Sequence, residues 1–385
     1  MAERKRIGII YQMQKGWMGG TYYILNLISA LDTLPDREKP VVIVFYSSDE
    51  DFNYVKKYTG YPYLEMGGQL KKSFFVRVLN FVCFRFFGKR LLHHPAPKIR
   101  MSLLFPVFAP DFSSNNYVTL NWIPDFQEKH YPRFFEEKEI QTRDWTVKQV
   151  IKSSMPIIFS SQNALDDFYK FYSEAKNQTV VMHFAVSLPD RDVNHDAETM
   201  VKYGAEVSPY FFCANQFWQH KNHLSLFKAV KELKDRGVHV RLYCSGNTTD
   251  YRNPDYFPML QNYIKDNQLE DMIHILGYME RGEQLCLMAH SQAIVQPSYF
   301  EGWSTVVEDA KALHKYVVLS DLPLHREQLK ENVSFFNPDD HIDLANKLDR
   351  ILKTCPAMTQ YDYNDNICEF GKCFMRIVNN LTKNI

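Results

Sequence analysis

The residues best arranged for chemistry lie in EGWSTVVEDA, Glu301 to Ala310. An apolar run, AIVQP, precedes this segment, and helical spacing begins at Val306. Gly302, Ser304 and Thr305 therefore fall at a strand-to-helix turn, with Trp303 among them. A helix N-terminus with small residues presents unpaired N–H groups and the positive end of a dipole, both suited to a diphosphate oxygen. Two acids, Glu301 and Asp309, bracket the turn eight positions apart, and Glu308 stands beside the second. Acids in the first turn of a helix are also favoured simply by its dipole, so the segment alone does not decide between a site and a solvated helix start.

Such a turn needs a scaffold, and the chain supplies a repeating one. Short β-rich apolar runs alternate with stretches of helical period, the pattern of βα units around a parallel sheet. One series comprises RIGIIYQ, PVVIVFY, VTLNWI, PIIFSS and TVVMHF, between Arg6 and Phe184. A second starts at YFFCA (Tyr210 to Ala214) and continues through VRLYCSG, MIHILG, AIVQP, YVVLS and SFFN, ending at Asn337. The polar, turn-rich stretch Ser187 to Gly204 separates them and reads as a linker. At 385 residues the chain exceeds what one core usually organises. The expectation is α/β architecture: two Rossmann-like domains, 1–190 and 205–365, facing across a cleft, with a helix over 366–385 returning to the first. Ligands of such sheets bind outside the carboxyl ends of the strands.

Composition narrows the partners. The formal charge is zero, which argues against a general nucleic-acid binder. Seven scattered cysteines without zinc or redox spacing fit a reducing, cytoplasmic compartment, and no metal site is expected. No signal-peptide core and no membrane span is visible. One stretch departs from this neutrality: Lys71 to Arg100 holds eight basic residues, no acid and many aromatics. It reads either as an interfacial helix for an anionic membrane surface or as a packed helix pair with basic outer faces.

With strand, paired acids and the following YVVLSD taken together, the second half resembles the donor domain of family 4 retaining glycosyltransferases of the GT-B fold. Asp309, Ala310 and Ala312 match the family's Glu-Ala-x-Ala, which puts the second acid at Asp309, shortened from Glu. The resemblance implies that Glu301 and the amides after it hold donor sugar and phosphates and that the second acid grips ribose. Glu308 remains an alternative for ribose, because any carboxylate accepts two hydroxyl hydrogen bonds. It further implies a cationic partner for the diphosphate at Lys221, in CANQFWQHKNHLSLF, with Gln216 where the family carries an Arg. His220, His223 and Arg326 are possible helpers. Gly246 is either a residue exposing backbone to the nucleotide or a simple turn.

On the acceptor side, Gly19 and Gly20 resemble the family's glycine loop, and a plain turn before an amphipathic helix is the other reading. Asp125 and Pro132 in NWIPDFQEKHYPRFF match a second family segment whose His is Pro124 here. Asp125 either orients an acceptor hydroxyl or caps a turn. His314 and Tyr316 stand where the family has Gly and Pro. The activity implied is transfer of a sugar, with retention and without metal, from a nucleoside-diphosphate sugar to a glycan or lipid-linked acceptor, in polysaccharide or glycolipid synthesis. The protein is expected in the cytoplasm, with possible attachment to the cytoplasmic membrane face. A non-catalytic scaffold of the same fold, or an epimerase or phosphorylase using it, is the competing reading.

Overall fold

A computed structural model describes residues 3–13, 18–69, 75–76, 78–79, 83, 99–108, 116–189, 193–206 and 209–383. The basic aromatic stretch 71–100 lies almost wholly outside these residues. The chain divides into two compact units, one of residues 1–125, 141–187 and 364–385, the other of 126–140 and 188–363.

The first unit is built on a parallel sheet. Its strands are β1 (Arg6–Ile10), β2 (Val41–Phe45), β3 (Leu64–Gly68), β4 (Leu103–Val107), β5 (Val118–Ile123), β6 (Ile157–Phe159) and β7 (Thr179–Val181), in the order β3-β2-β1-β4-β5-β6-β7. Two of these escape the sequence reading. β4, LLFPV, carries Pro106 inside an apolar run, a residue that normally demotes a strand, and β3 ends in two glycines. The glycines at 19 and 20 do not form a turn before the first helix, since that helix, Met18–Asp32, already contains them in its first turn. Helix Asn364–Leu381 packs on Met18–Asp32, so the chain's last helix does belong with the first unit. Phe370 sits 5.7 Å from Tyr23 and Phe374 5.4 Å from Phe105, ring to ring. Gly371 makes this approach possible, because a Cβ there would lie 2.4 Å from Ala30 O.

In the second unit all six expected runs are strands: β8 (Tyr210–Ala214), β9 (Arg241–Ser245), β10 (Ile273–Gly277), β11 (Ala293–Gln296), β12 (Val317–Ser320) and β13 (Val333–Phe336). They form one parallel sheet ordered β10-β9-β8-β11-β12-β13. Chain direction across the sheet reverses between β8 and β11, which makes their carboxyl ends a topological switch point. β8, β11 and β12 are buried throughout, as strands covered on both faces must be.

Two boundaries differ from the expected ones. Residues 126–140, placed by sequence in the first domain, pack with the second unit. Their aromatic side chains supply the reason: Tyr131 lies 6.2 Å from Tyr299, His130 lies 5.4 Å from Phe300, and Phe135 lies under Arg252. The stretch read as a linker contains helix Val193–Lys202, which packs on helix Arg281–His290 of the second unit. His314 takes a φ of 52°, the left-handed conformation for which glycine is the usual residue after a helix.

Candidate functional site

Lys221 and Glu301 meet at the switch point. Lys221 closes a 3-10 turn, Gln219–Lys221, shortly after β8, and Glu301 follows β11. The Lys221 Nζ donates to both Glu301 oxygens, at 2.7 and 2.9 Å. Local structure fixes each partner. Asn222, at a φ of 56°, ends the turn and donates to Pro297 O and Pro338 O, while Tyr299 N donates to His220 O. On the acid side, Gln296 Nε2 and Ser298 Oγ each donate to Glu301 Oε1 at 2.7 Å. Asn215 Nδ2 in turn donates to Gln296 Oε1 at 2.8 Å, so a side-chain relay joins the ends of β8 and β11.

Burial opposes the negative charge on Glu301, but the Lys221 ammonium and the Ser298 hydroxyl outweigh it, and the carboxyl sits below its ordinary value of 4.5. His325 lies close enough to feel this charge. It is fully buried, its Nδ1 is 2.7 Å from Ser320 O, and desolvation holds it neutral by lowering its pKa. The pair is 19% and 9% exposed, and the donors around the acid are already aimed at it.

The other acids of the signature are engaged differently. Ser304 caps helix Thr305–Ala312, its Oγ accepting from Val307 N, and Gln328 clamps its backbone by accepting from Ser304 N and donating to Ser304 O. Glu308, fully buried, accepts from Lys311, Gln328 and Tyr363. Asp309 accepts from both terminal nitrogens of Arg281, at 2.7 Å for one of them. Here desolvation prevails over the guanidinium and the Asp309 carboxyl is raised above 3.8.

Gly302 and Trp303 are half-buried between β11 and the Thr305–Ala312 helix. Gln216, half-buried, follows β8 in the same unit. Gly246, with a φ of 145°, has a structural reason of its own: a Cβ would lie 2.1 Å from Asn215 O, where β8 and β9 end side by side. His223 stacks on Phe217 at 4.2 Å inside the core, and Arg326 pairs with Asp321 at the surface. Asp125, half-buried directly after β5, belongs to the first unit with Gly19 and Gly20, whereas Lys221 and Glu301 belong to the second. Sequence reasoning passed over Gln296, Ser298, Gln328, His325 and Arg281. Gln328 and Arg281 act on residues 20 or more positions away, whereas Gln296, Ser298 and His325 act within five positions through polar side chains that no motif marks.

Asp196, Cys286 and His290 gather between two helices of the second unit, apart from this signature. His290 Nδ1 sits 2.9 Å from Cys286 O.

Residues 197–366 match the family described as glycosyl transferases group 1. Most of the second unit is thus similar to group 1 glycosyltransferases. The chain is 25% identical over 284 residues to the O-antigen chain mannosyltransferase RfbU of Salmonella typhimurium, covering 73% of this chain and 70% of that one. In fold it is similar to a glycosyltransferase from Rickettsia africae, with a TM-score of 0.68, 14% identity and coverage of 99% and 100% of the two chains. Anabaena HepE, solved in complex with UDP and glucose, is similar at a TM-score of 0.61 and 14% identity, covering 99% of this chain and 98% of that one. Two parallel-sheet α/β units and these neighbours give the chain the GT-B fold.

Proposed function

We propose that the protein is a retaining family 4 glycosyltransferase that moves a sugar from a nucleoside-diphosphate sugar to a glycan or lipid-linked acceptor during polysaccharide or glycolipid assembly. The observation that carries this reading is the Lys221–Glu301 pair at the sheet's switch point, held by Gln296 and Ser298. Breaking the sugar–phosphate bond leaves charge on the diphosphate, and the Lys221 ammonium is the group to stabilise it, with Gln216 offering a neutral donor. Glu301, kept ionised, accepts sugar hydroxyl hydrogen bonds, beside the turn Gly302 to Thr305. Asp309 or Glu308 takes the ribose hydroxyls, and Gly246, Gly19 and Gly20 bring backbone close to the donor.

Retention needs no protein nucleophile. The acceptor attacks the face from which the phosphate departs, the phosphate takes the acceptor proton, and Asp125 orients the hydroxyl. A lysine facing the diphosphate makes a divalent metal unnecessary. The match to RfbU supports a glycan acceptor. Cytoplasmic location, with attachment to an anionic membrane face through 71–100, completes the reading, and vesicles with and without anionic lipid test that attachment by co-sedimentation.

The experiment for the chemistry is acceptor-dependent release of nucleoside diphosphate, with product configuration read by NMR and EDTA as a control. Lys221→Ala and Glu301→Gln are expected to lose about a hundredfold or more in turnover with little change in unfolding midpoint. Normal turnover in either variant refutes the assignment.

A further inference from the structure

Within the second unit a cavity of about 110 Å³ opens between segment 126–140 and the loops that follow β8 and β9. Arg133 and Phe134 line one side, and Gln219, His220 and residues 250–253 the other. Much of this lining is occupied with holding itself together. Asp250, buried, accepts from the backbone amides of Gln219 and Arg252 at 3.2 and 3.0 Å, so its charge is engaged by the two loops it joins. Arg252 bonds both oxygens of Glu139 and lies 4.0 Å above the Phe135 ring, which pins segment 126–140 in place. Asn253 donates to Gln219 Oε1 at 2.9 Å.

Two groups remain over. Arg133 is exposed and has no carboxylate within ion-pair distance among the described residues; its guanidinium only faces the rings of Tyr131 and Phe134, at 5.7 and 5.1 Å. His220 is 7% exposed, and among the described residues none is hydrogen-bonded to its ring nitrogens. Its nitrogens are not sealed from solvent, so water in the cavity, or a ligand that displaces it, completes their hydrogen bonds. Desolvation, with Lys221 and Arg252 nearby, lowers the His220 pKa, and the neutral ring carries one donor and one acceptor. The volume suits a few heavy atoms, a phosphate or carboxylate rather than a nucleotide. Lys221 does not line the cavity, and its ammonium turns to Glu301 instead.

We propose that this cavity binds an anionic group, a carboxylate or a phosphate, with Arg133 supplying the charge and His220 a hydrogen bond. Resting on the transferase reading above, that group belongs to the acceptor. It marks an acceptor that carries either an acidic sugar or a phosphate, and Arg133 then sets acceptor specificity through KM.

The test titrates the full chain and Arg133→Gln with inorganic phosphate and with glucuronate by calorimetry, with and without a saturating mixture of UDP, GDP and ADP. Binding of at least one probe, unchanged by the nucleotides and weakened about tenfold or more in Arg133→Gln, is the expected result. Phosphate alone indicates a phosphate-bearing acceptor, and glucuronate alone an acidic sugar. No binding of either probe, or equal binding in Arg133→Gln, overturns the cavity's role. Displacement by nucleotides returns it to the donor site and overturns the acceptor assignment. Donor turnover without probe binding sinks this inference only, whereas probe binding without any turnover sinks the transferase reading and leaves the anion site standing.

Discussion

Two buried acid–base pairs sit near the strand ends of the second sheet, and burial affects them in opposite ways. In Lys221–Glu301 the acid also accepts from Gln296 and Ser298, and its carboxyl falls below the ordinary value. In Arg281–Asp309 the guanidinium engages both oxygens, yet desolvation still raises the acid. The second pair is also the more closed, at 12% and 2% exposure against 19% and 9%. Extra hydrogen bonds to the charged form keep an acid ionised at little cost, while a bidentate partner in a dry setting does not fully offset lost hydration. The first pair is therefore the looser and keeps its acid ionised, while the second, besides any role toward a ligand, ties helix Thr305–Ala312 to helix Arg281–His290.

Substitution should separate these roles. Arg281→Met leaves Asp309 as a buried, unpaired carboxylate and should cost about 3–5 kcal/mol in urea unfolding at pH 7, whereas Lys221→Ala should cost far less. An acid whose folded pKa is raised favours the folded state in its protonated form. The Arg281→Met penalty should therefore grow as pH climbs through and above 3.8 and shrink in acid. A penalty independent of pH would contradict the desolvated state of Asp309.

Gly246→Ala probes the frame on which the first pair rests. The new Cβ must push on Asn215, whose side chain begins the relay to Glu301, and the left-handed φ adds strain. A loss of about 2–4 kcal/mol is expected; a neutral effect would mean that the β8 and β9 ends move apart without cost. The smallest effect concerns Glu301 itself. Its depressed pKa contributes stability that is complete above 4.5 and disappears as pH falls through the lower folded value. The stability gap between wild type and Glu301→Gln should narrow in that acid window, and a gap constant with pH would remove the ionised carboxylate from the account.

Much of the second sheet was legible because its strands are short apolar-rich runs, buried throughout in β8, β11 and β12. The first sheet was harder. Pro106 interrupts the apolar run of β4, and Gly67 and Gly68 weaken β3, so rules of local composition passed over both. At the candidate site, Glu301 and Lys221 were legible from motif and neighbourhood, and the structure brings them into direct contact. Their support was not: Gln296 and Ser298 bond Glu301 from within the same strand end and loop, through polar side chains whose direction sequence does not give. Likewise the attachment of 126–140 to the second unit depends on Tyr299, Phe300 and Arg252, all more than a hundred residues away, and no local pattern announces a partner at that distance.

The most direct test of the central claim, that Lys221 and Glu301 hold a nucleotide-sugar donor, is the thermal shift of wild type, Lys221→Ala and Glu301→Gln across a panel of uridine, guanosine and adenosine diphosphate sugars. Binding to the native state raises the midpoint. One donor should raise that of wild type and leave both variants, otherwise folded, unmoved. An equal shift in the variants would contradict the account, as would the absence of any shift in wild type.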